Sequence, residues 1–341
     1  MNALNKTMTA DETRVGPAGL TLRPYAGEAD LSAIVDIINR EMEAVGLRYR
    51  EDVGHMRAYY SHPSAKFDAA RDVTIAEVNG VVVGYGGRSW VDTTLEPPMR
   101  EYRMDGSVLP EWQRKGVGTV LLRHNQQKQR EIDRTHGTDL PRIFGSWTSD
   151  RQPGAIALLL ENGFEQVRQF YEMARPLSEP IPDVPVPDGL AIRPVRLDEM
   201  RKIWEADVAA FQDHWGGFEA TEESYQRWLA RPDLDTTLWV VVFDGEQVAG
   251  GSINAIAQEE NEALGVKRGW LHHVFTTRQY RRRGVARAAV ARSLALMKER
   301  GLDTGMLGVD ATNPTGAVPL YEGLGFSIDE RSSAWRKPFE A

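Results

Sequence analysis

Val274-Phe-Thr-Thr-Arg-Gln-Tyr-Arg-Arg-Arg-Gly-Val-Ala286 reads as a strand end, a tight basic turn and the first turn of a helix. Alternation from Leu271 to Thr276 predicts the strand, while Ala286, Val290, Leu294 and Met297 recur at helical spacing beyond the turn. Between the two lies an anion site. Gly284 lets a ligand approach the backbone, and the unpaired N–H groups of the helix start, with its dipole, favour negative charge. Arg281, Arg282 and Arg283 add formal charge there, so the expected guest is a phosphate or pyrophosphate; the plainer reading of the triplet is a solvated turn.

The device occurs twice. Val108-Leu-Pro-Glu-Trp-Gln-Arg-Lys-Gly-Val-Gly118 also runs from a strand into a helix, with Val117, Leu121 and His124 on one side. Gln113, Gly116 and Gly118 in the first copy, and Arg281, Gly284 and Ala286 in the second, fit the pattern Q/R-x-x-G-x-G/A. In this the chain resembles the GCN5-related N-acetyltransferases, whose acetyl-coenzyme A signature has that form. The resemblance implies acetyl-CoA as co-substrate, held by Val108, Gln113, Arg114, Lys115, Gly116, Val117 and Gly118 in one copy. In the other it implies Val274, Phe275, Thr276, Arg281, Arg282, Arg283, Gly284, Val285 and Ala286.

Further landmarks repeat. Gly19-Leu-Thr-Leu-Arg-Pro and Gly189-Leu-Ala-Ile-Arg-Pro lie 170 residues apart, Gly116 and Gly284 168, and Gly163-Phe164 and Gly325-Phe326 162. Near-constant offsets indicate a duplicated domain, far longer than a solenoid repeat. The expected division is a loose tail over 1–18, a first domain over 19–176, a proline-rich semi-rigid linker over 177–188 and a second domain over 189–341. Asn79-Gly80 and Asp244-Gly245 mark hairpins, and strand-helix-strand crossovers accompany them. The fold expected is α/β of the α+β kind: two tandem acyl-CoA N-acyltransferase domains, each a central mixed, mostly antiparallel sheet flanked by helices. The acidic run Glu259, Glu260 and Glu262 reads as a solvated hairpin tip.

Composition narrows the function. The 341 residues suffice for two cores, and a net charge of −8 argues against nucleic-acid or membrane-surface partners. No cysteine is present, which removes disulfides, thiolate metal sites and a cysteine acyl-enzyme; no metal is expected. The first residues lack the apolar core of a signal peptide, so the expectation is a cytoplasmic protein, monomeric or homodimeric.

By the same resemblance, the ending Asn313-Pro-Thr-Gly-Ala-Val-Pro-Leu-Tyr321-Glu-Gly-Leu-Gly-Phe326 makes Tyr321 the acid that protonates the departing thiolate and Asn313 a partner of the pantetheine arm. Taken alone, Tyr321 reads rather as a helix tyrosine packed on the sheet with its hydroxyl in water; the surrounding matches favour the functional reading. Counting back from Phe164, the first copy has Leu159 for Tyr321 and Arg151 for Asn313, so that copy is expected to be degenerate. For a base, His272 is favoured over His273: alternation sets His272 on one face with Val274 and Thr276, and arylalkylamine N-acetyltransferases look similar there. The first copy has Met104 at that position. Asp213, Trp215 and Phe218 form either an acidic and aromatic pocket for a cationic amine or an ordinary loop. The activity expected is transfer of acetyl to a primary amine of a small molecule by direct attack in a ternary complex. A tandem branch of the family that acetylates a cysteine-conjugated aminosugar offers one alternative acceptor, and a non-catalytic acyl-CoA sensor or assembly module is an alternative of another class.

Overall fold

A computed structural model describes residues 16–93, 97–212, 215, 220–231, 233–312 and 316–340. They fall into two compact units. One takes residues up to Val91, Arg100–Glu165 and the chain end from Trp335; the other takes Asp92–Met99 and Gln166–Ala334.

In the first unit the order is β1 (Leu20–Pro24), α1 (Glu28–Ala44), α2 (Val53–Tyr60), α3 (Ala69–Asp72), β2 (Val73–Val78), β3 (Val81–Asp92), β4 (Arg100–Val108), α4 (Val117–Thr135), β5 (Arg142–Ser149) and α5 (Pro153–Glu161). The strands are arranged β1-β2-β3-β4-β5, antiparallel from β1 to β3 and parallel between β4 and β5. Strand β2 is apolar on both faces because both are covered. Val73 and Ile75 pack with Leu31, Ile34 and Ile38 of α1, whereas Ala76 and Val78 pack with Val117 and Leu121 of α4.

In the second unit the order is β6 (Glu165–Pro176), β7 (Ala191–Ile192), α6 (Met200–Phe211), α7 (Glu222–Leu229), β8 (Val240–Asp244), β9 (Gln247–Ala255), α8 (Gln258–Leu264), β10 (Arg268–Thr276), α9 (Val285–Glu299), β11 (Thr304–Asp310), α10 (Ala317–Glu322) and β12 (Ser327–Pro338). Val241 and Phe243 of β8 meet Ile203, Trp204 and Val208 of α6, while Val240 and Val242 meet Val285 and Ala289 of α9. Each unit is thus a mixed sheet between helices, as the motifs imply.

Three features differ from the linear reading. Strand β6, which closes the first repeat in sequence, pairs antiparallel with β11 from Phe170↔Asp310 to Pro176↔Thr304 and belongs to the second unit. Reciprocally, Trp335 at the end of β12 fills the first unit's core with Tyr102, Phe144, Leu159 and Phe164, and its Nε1 donates to Thr148 at 2.8 Å. Each unit is thus completed by residues from the other repeat: the second by β6 from Gln166, the first by the chain end from Trp335. Second, the proline-rich segment is packed, not spanning solvent: Leu177 is buried, Ile181 and Val184 join the α9 core, and Arg175 donates to the Pro180 carbonyl. Third, Glu259, Glu260 and Glu262 lie on α8, where the first two face a helix N-terminus that carboxylates stabilise.

Candidate active site

In each unit the strand before the motif keeps its parallel neighbour for only part of its length. Strand β4 pairs with β5 from Arg100↔Arg142 to Arg103↔Gly145, and β10 with β11 from Arg268↔Thr304 to Trp270↔Met306. Yet β4 continues to Val108 and β10 to Thr276. A wedge opens at the end that carries the motif.

The two turns at those wedges share one geometry. Gly116 (φ 86°, ψ −5°) and Gly284 (φ 89°, ψ 2°) are left-handed, and two residues earlier Arg114 (φ 59°) and Arg282 (φ 62°) are left-handed as well. Neither α4 nor α9 has a side-chain cap, so the first-turn N–H groups are left to a ligand, and such alternating backbone forms an anion concavity. Gln113 Nε2 donates to the Val108 carbonyl at 3.1 Å, and Arg281 Nε reaches the Thr276 carbonyl at 3.5 Å. Lys115 lies 4.8 Å over the Trp112 ring and Arg283 5.2 Å over the Tyr280 ring. Val117 and Val285, the first residues of the two helices, are both buried. Phosphate and pyrophosphate chemistry fits both turns.

In the second unit Tyr321 sits on α10, buried in the α9 core with its ring 5.9 Å from Phe326. Burial pushes its phenol up, which keeps the hydroxyl protonated and able to donate. The matched position holds Leu159: Phe164 N donates to Leu159 O at 3.0 Å just as Phe326 N donates to Tyr321 O at 3.1 Å. Asn313, Asp213 and Phe218 lie outside the described residues. Trp215 stands 5.8 Å from Phe170 of β6, at an angle of 56°.

The expected face-sharing of His272 with Val274 and Thr276 does not hold. The β9–β10 register shifts by one between Leu271 and His273, making His272 the extra residue of a β-bulge. Val274 packs with the α9 core, whereas the His272 ring stacks on Trp270 at 6.0 Å and its Nε2 lies 3.6 Å from Asp233. His272 is pushed down to about 4, chiefly by loss of water around it and then by Arg231, against the opposing pull of Asp233. His273 faces α6. Its Nδ1 is 2.6 Å from Oδ2 of buried Asp207, and its ring is 4.9 Å from Phe211. Asp207 has no sequence signature of its own; helical spacing places it with Ile203 and Trp204, and only the fold sets it beside the histidine.

The first unit holds a cleft of about 610 Å³ in its wedge, between Met104, Asp105 and Gly106 of β4 and Ser146, Trp147 and Thr148 of β5, reaching Gln113, Arg114, Gly116 and Gly118 of the turn. Asp105 occupies the register of His273, 168 residues on; that offset makes it legible by counting, yet its significance depends on the cleft it faces. Among the described residues no group of three or more His, Cys, Asp or Glu is placed to hold a metal, and no helix is long and apolar enough to cross a membrane.

Residues 200–326 match the acetyltransferase (GNAT) family. Mycothiol acetyltransferase from Salinispora arenicola is 28% identical over 261 residues, covering 76% of this chain and 78% of its own. That from Geodermatophilus obscurus is 24% identical over 340 residues, covering 97% and 98%. Among solved structures, a GCN5-related N-acetyltransferase from Sphaerobacter thermophilus superposes with a TM-score of 0.74 at 22% identity over 96% of this chain and 98% of its own. A tandem GNAT protein from the clavulanic acid biosynthesis pathway does so with a TM-score of 0.69 at 16% identity over 94% and 99%. Residues 200–326 thus carry an acetyltransferase (GNAT) domain, while over nearly its whole length the chain is similar to a mycothiol acetyltransferase and has the fold of a tandem GNAT protein.

Proposed function

We propose that the C-terminal half transfers an acetyl group from acetyl-coenzyme A to a primary amine of a small molecule, by direct attack with both substrates bound. The observation that carries this reading is the coincidence, in one unit, of an uncapped helix start with left-handed Gly284, a strand wedge beside it and a protonated, buried tyrosine at the position of the family's acid. Arg281, Arg282 and Arg283 supply charge for a pyrophosphate, and the wedge between β10 and β11 takes the pantetheine arm. The bound thioester supplies the activated acetyl group. Backbone N–H groups between Val274 and Thr276 polarise its carbonyl, and Tyr321 donates a proton to the leaving sulfur.

The base role passes from His272 to His273. Asp207 accepts from Nδ1, which leaves Nε2 with the lone pair that takes the ammonium proton directly or through water. His272, held down near 4, is a weak base, and with Asp233 and Trp270 it shapes the acceptor side of the bulge. Much of the acceleration comes from holding amine and thioester together. The relatives named mycothiol acetyltransferases favour a second statement of the acceptor, a cysteine-conjugated aminosugar.

The test is calorimetric titration of acetyl-CoA into the wild-type chain and Gly284→Glu, followed by amine-dependent release of coenzyme thiol. Loss of one site in the variant together with loss of turnover for the amines that the C-terminal half accepts supports the reading. Binding without release for every amine makes the chain an acyl-CoA sensor instead, and unchanged binding moves the coenzyme site elsewhere.

A further inference from the structure

The first unit is not built like a worn-out copy. A decayed clamp has no reason to keep an open cleft or to hold charge in its wall, and this one keeps both. Glu41, on the inner face of α1, is only 7% exposed and lines the cleft. Gln152 Nε2 donates to its Oε1 at 3.3 Å and the Ser107 side chain lies beside the carboxylate, yet Oε2 meets no donor in hydrogen-bond geometry among the described residues. An unpaired buried carboxylate oxygen is costly unless something cationic or a donor arrives to satisfy it. Asp105 is open to the same cleft from β4, close enough to Gly87 that a Cβ there would sit 2.1 Å from Oδ1. Apolar and aromatic surface surrounds the two carboxylates, from Ile38, Met42, Tyr49, Tyr85 and Trp147. Carboxylates within an aromatic wall suit a primary ammonium with an apolar or aromatic body.

We propose that the N-terminal cleft is a second acyl-transfer centre, in which Glu41 and Asp105 bind a hydrophobic primary ammonium beside acetyl-CoA held at Gln113–Gly118, with Glu41 as the base. This rests on the reading of that turn as a coenzyme clamp. The ammonium N–H donates to Glu41 Oε2 and passes one proton to it. The neutral nitrogen forms the C–N bond to the acyl carbon, the C–S bond breaks, and the thiolate takes a second proton from the attacking nitrogen. The products are the amide and free coenzyme thiol, and protonated Glu41 returns its proton to water. No tyrosine is required, so Leu159 at the matched position is compatible with turnover. Burial pushes the Glu41 carboxyl up, and the depth of the cleft does the same to Asp105, which brings both nearer the working pH of a base.

The absence of cysteine makes a thiol reagent report coenzyme release alone. The full chain carrying Gly284→Glu, to silence the C-terminal clamp, is given acetyl-CoA and saturating phenethylamine. Expected is amine-dependent thiol release, lowered by about 10²–10⁴-fold on adding Glu41→Gln, with loss of the acid limb of the pH profile, and abolished on adding Gly116→Glu. Thermal unfolding of the Glu41→Gln chain, expected to match the parent, separates lost chemistry from lost folding. If calorimetry finds acetyl-CoA bound to the Gly284→Glu chain but phenethylamine gives no release, or release is indifferent to Glu41→Gln, the second centre is overturned while the clamp reading stands. If the Gly284→Glu chain binds no acetyl-CoA, the clamp reading of Gln113–Gly118 falls first.

Discussion

Tyr321 illustrates what a residue carries on its own and what it acquires from burial. Its spacing from Gly325 and Phe326 aligns it with the family's acid, while the core around it raises a phenol that is protonated at neutral pH in any case. Tyr321→Phe is expected to lower turnover by about 10²–10⁴-fold with acetyl-CoA affinity near wild type, since only the hydroxyl is removed; steady-state rates and calorimetry on the same preparation check this, and unchanged turnover would take Tyr321 out of the mechanism. His272 carries a prediction of pH dependence. Its folded value, about 4, lies below the ordinary histidine value of 6.5, so between those limits the unfolded chain binds more protons. Stability through this group is present above about pH 6.5 and is lost as pH falls towards 4. His272→Gln should flatten that part of the stability profile, measured by urea denaturation across pH 4 to 7. The presence of both histidines was legible from the chain, but the faces they occupy were not: alternation assumes an unbroken register, and the bulge at His272 breaks it.

At the scale of elements, the strand-turn-helix clamps were the most legible part of the chain. They depend on short spacings and on glycine's access to positive φ, both local properties, and the structure gives the two turns the same backbone and the same carbonyl and ring contacts. Gly284→Ala places a Cβ on a residue at φ 89° and is expected to cost about 1–2 kcal/mol. Denaturation midpoints measure the strain, and acetyl-CoA titration measures the weakened clamp; a variant equal to wild type in both would mean that the left-handed turn is not required. The wedge beside each turn lies where parallel pairing stops, after Trp270↔Met306 and Arg103↔Gly145, which short-range spacing does not reveal.

Over the whole molecule the decisive fact is that the first unit takes in the chain end from Trp335 while the second takes in β6. Trp335 is 4% exposed in the core of the first unit although it lies far along the chain, and Trp335→Ala is expected to destabilise that unit by about 3–5 kcal/mol. A fragment ending at Pro176 lacks Trp335 and Phe339 and leaves β6 without β11, so it should be insoluble or thermally labile alone and rescued by co-expression with 177–341. A stable, cooperative fragment 1–176 would contradict that division of the chain. The chain by itself determined the duplication, the mixed α/β class, the two strand-turn-helix motifs and the asymmetry between Tyr321 and Leu159, because each rests on residue type and short-range spacing. Only the tertiary structure decided which unit receives each closing strand, that Asp207 backs His273, and that Glu41 and Asp105 meet in one cleft. Edge pairing, strand register and the burial of a charged group depend on contacts between residues distant in sequence, and no local pattern encodes them.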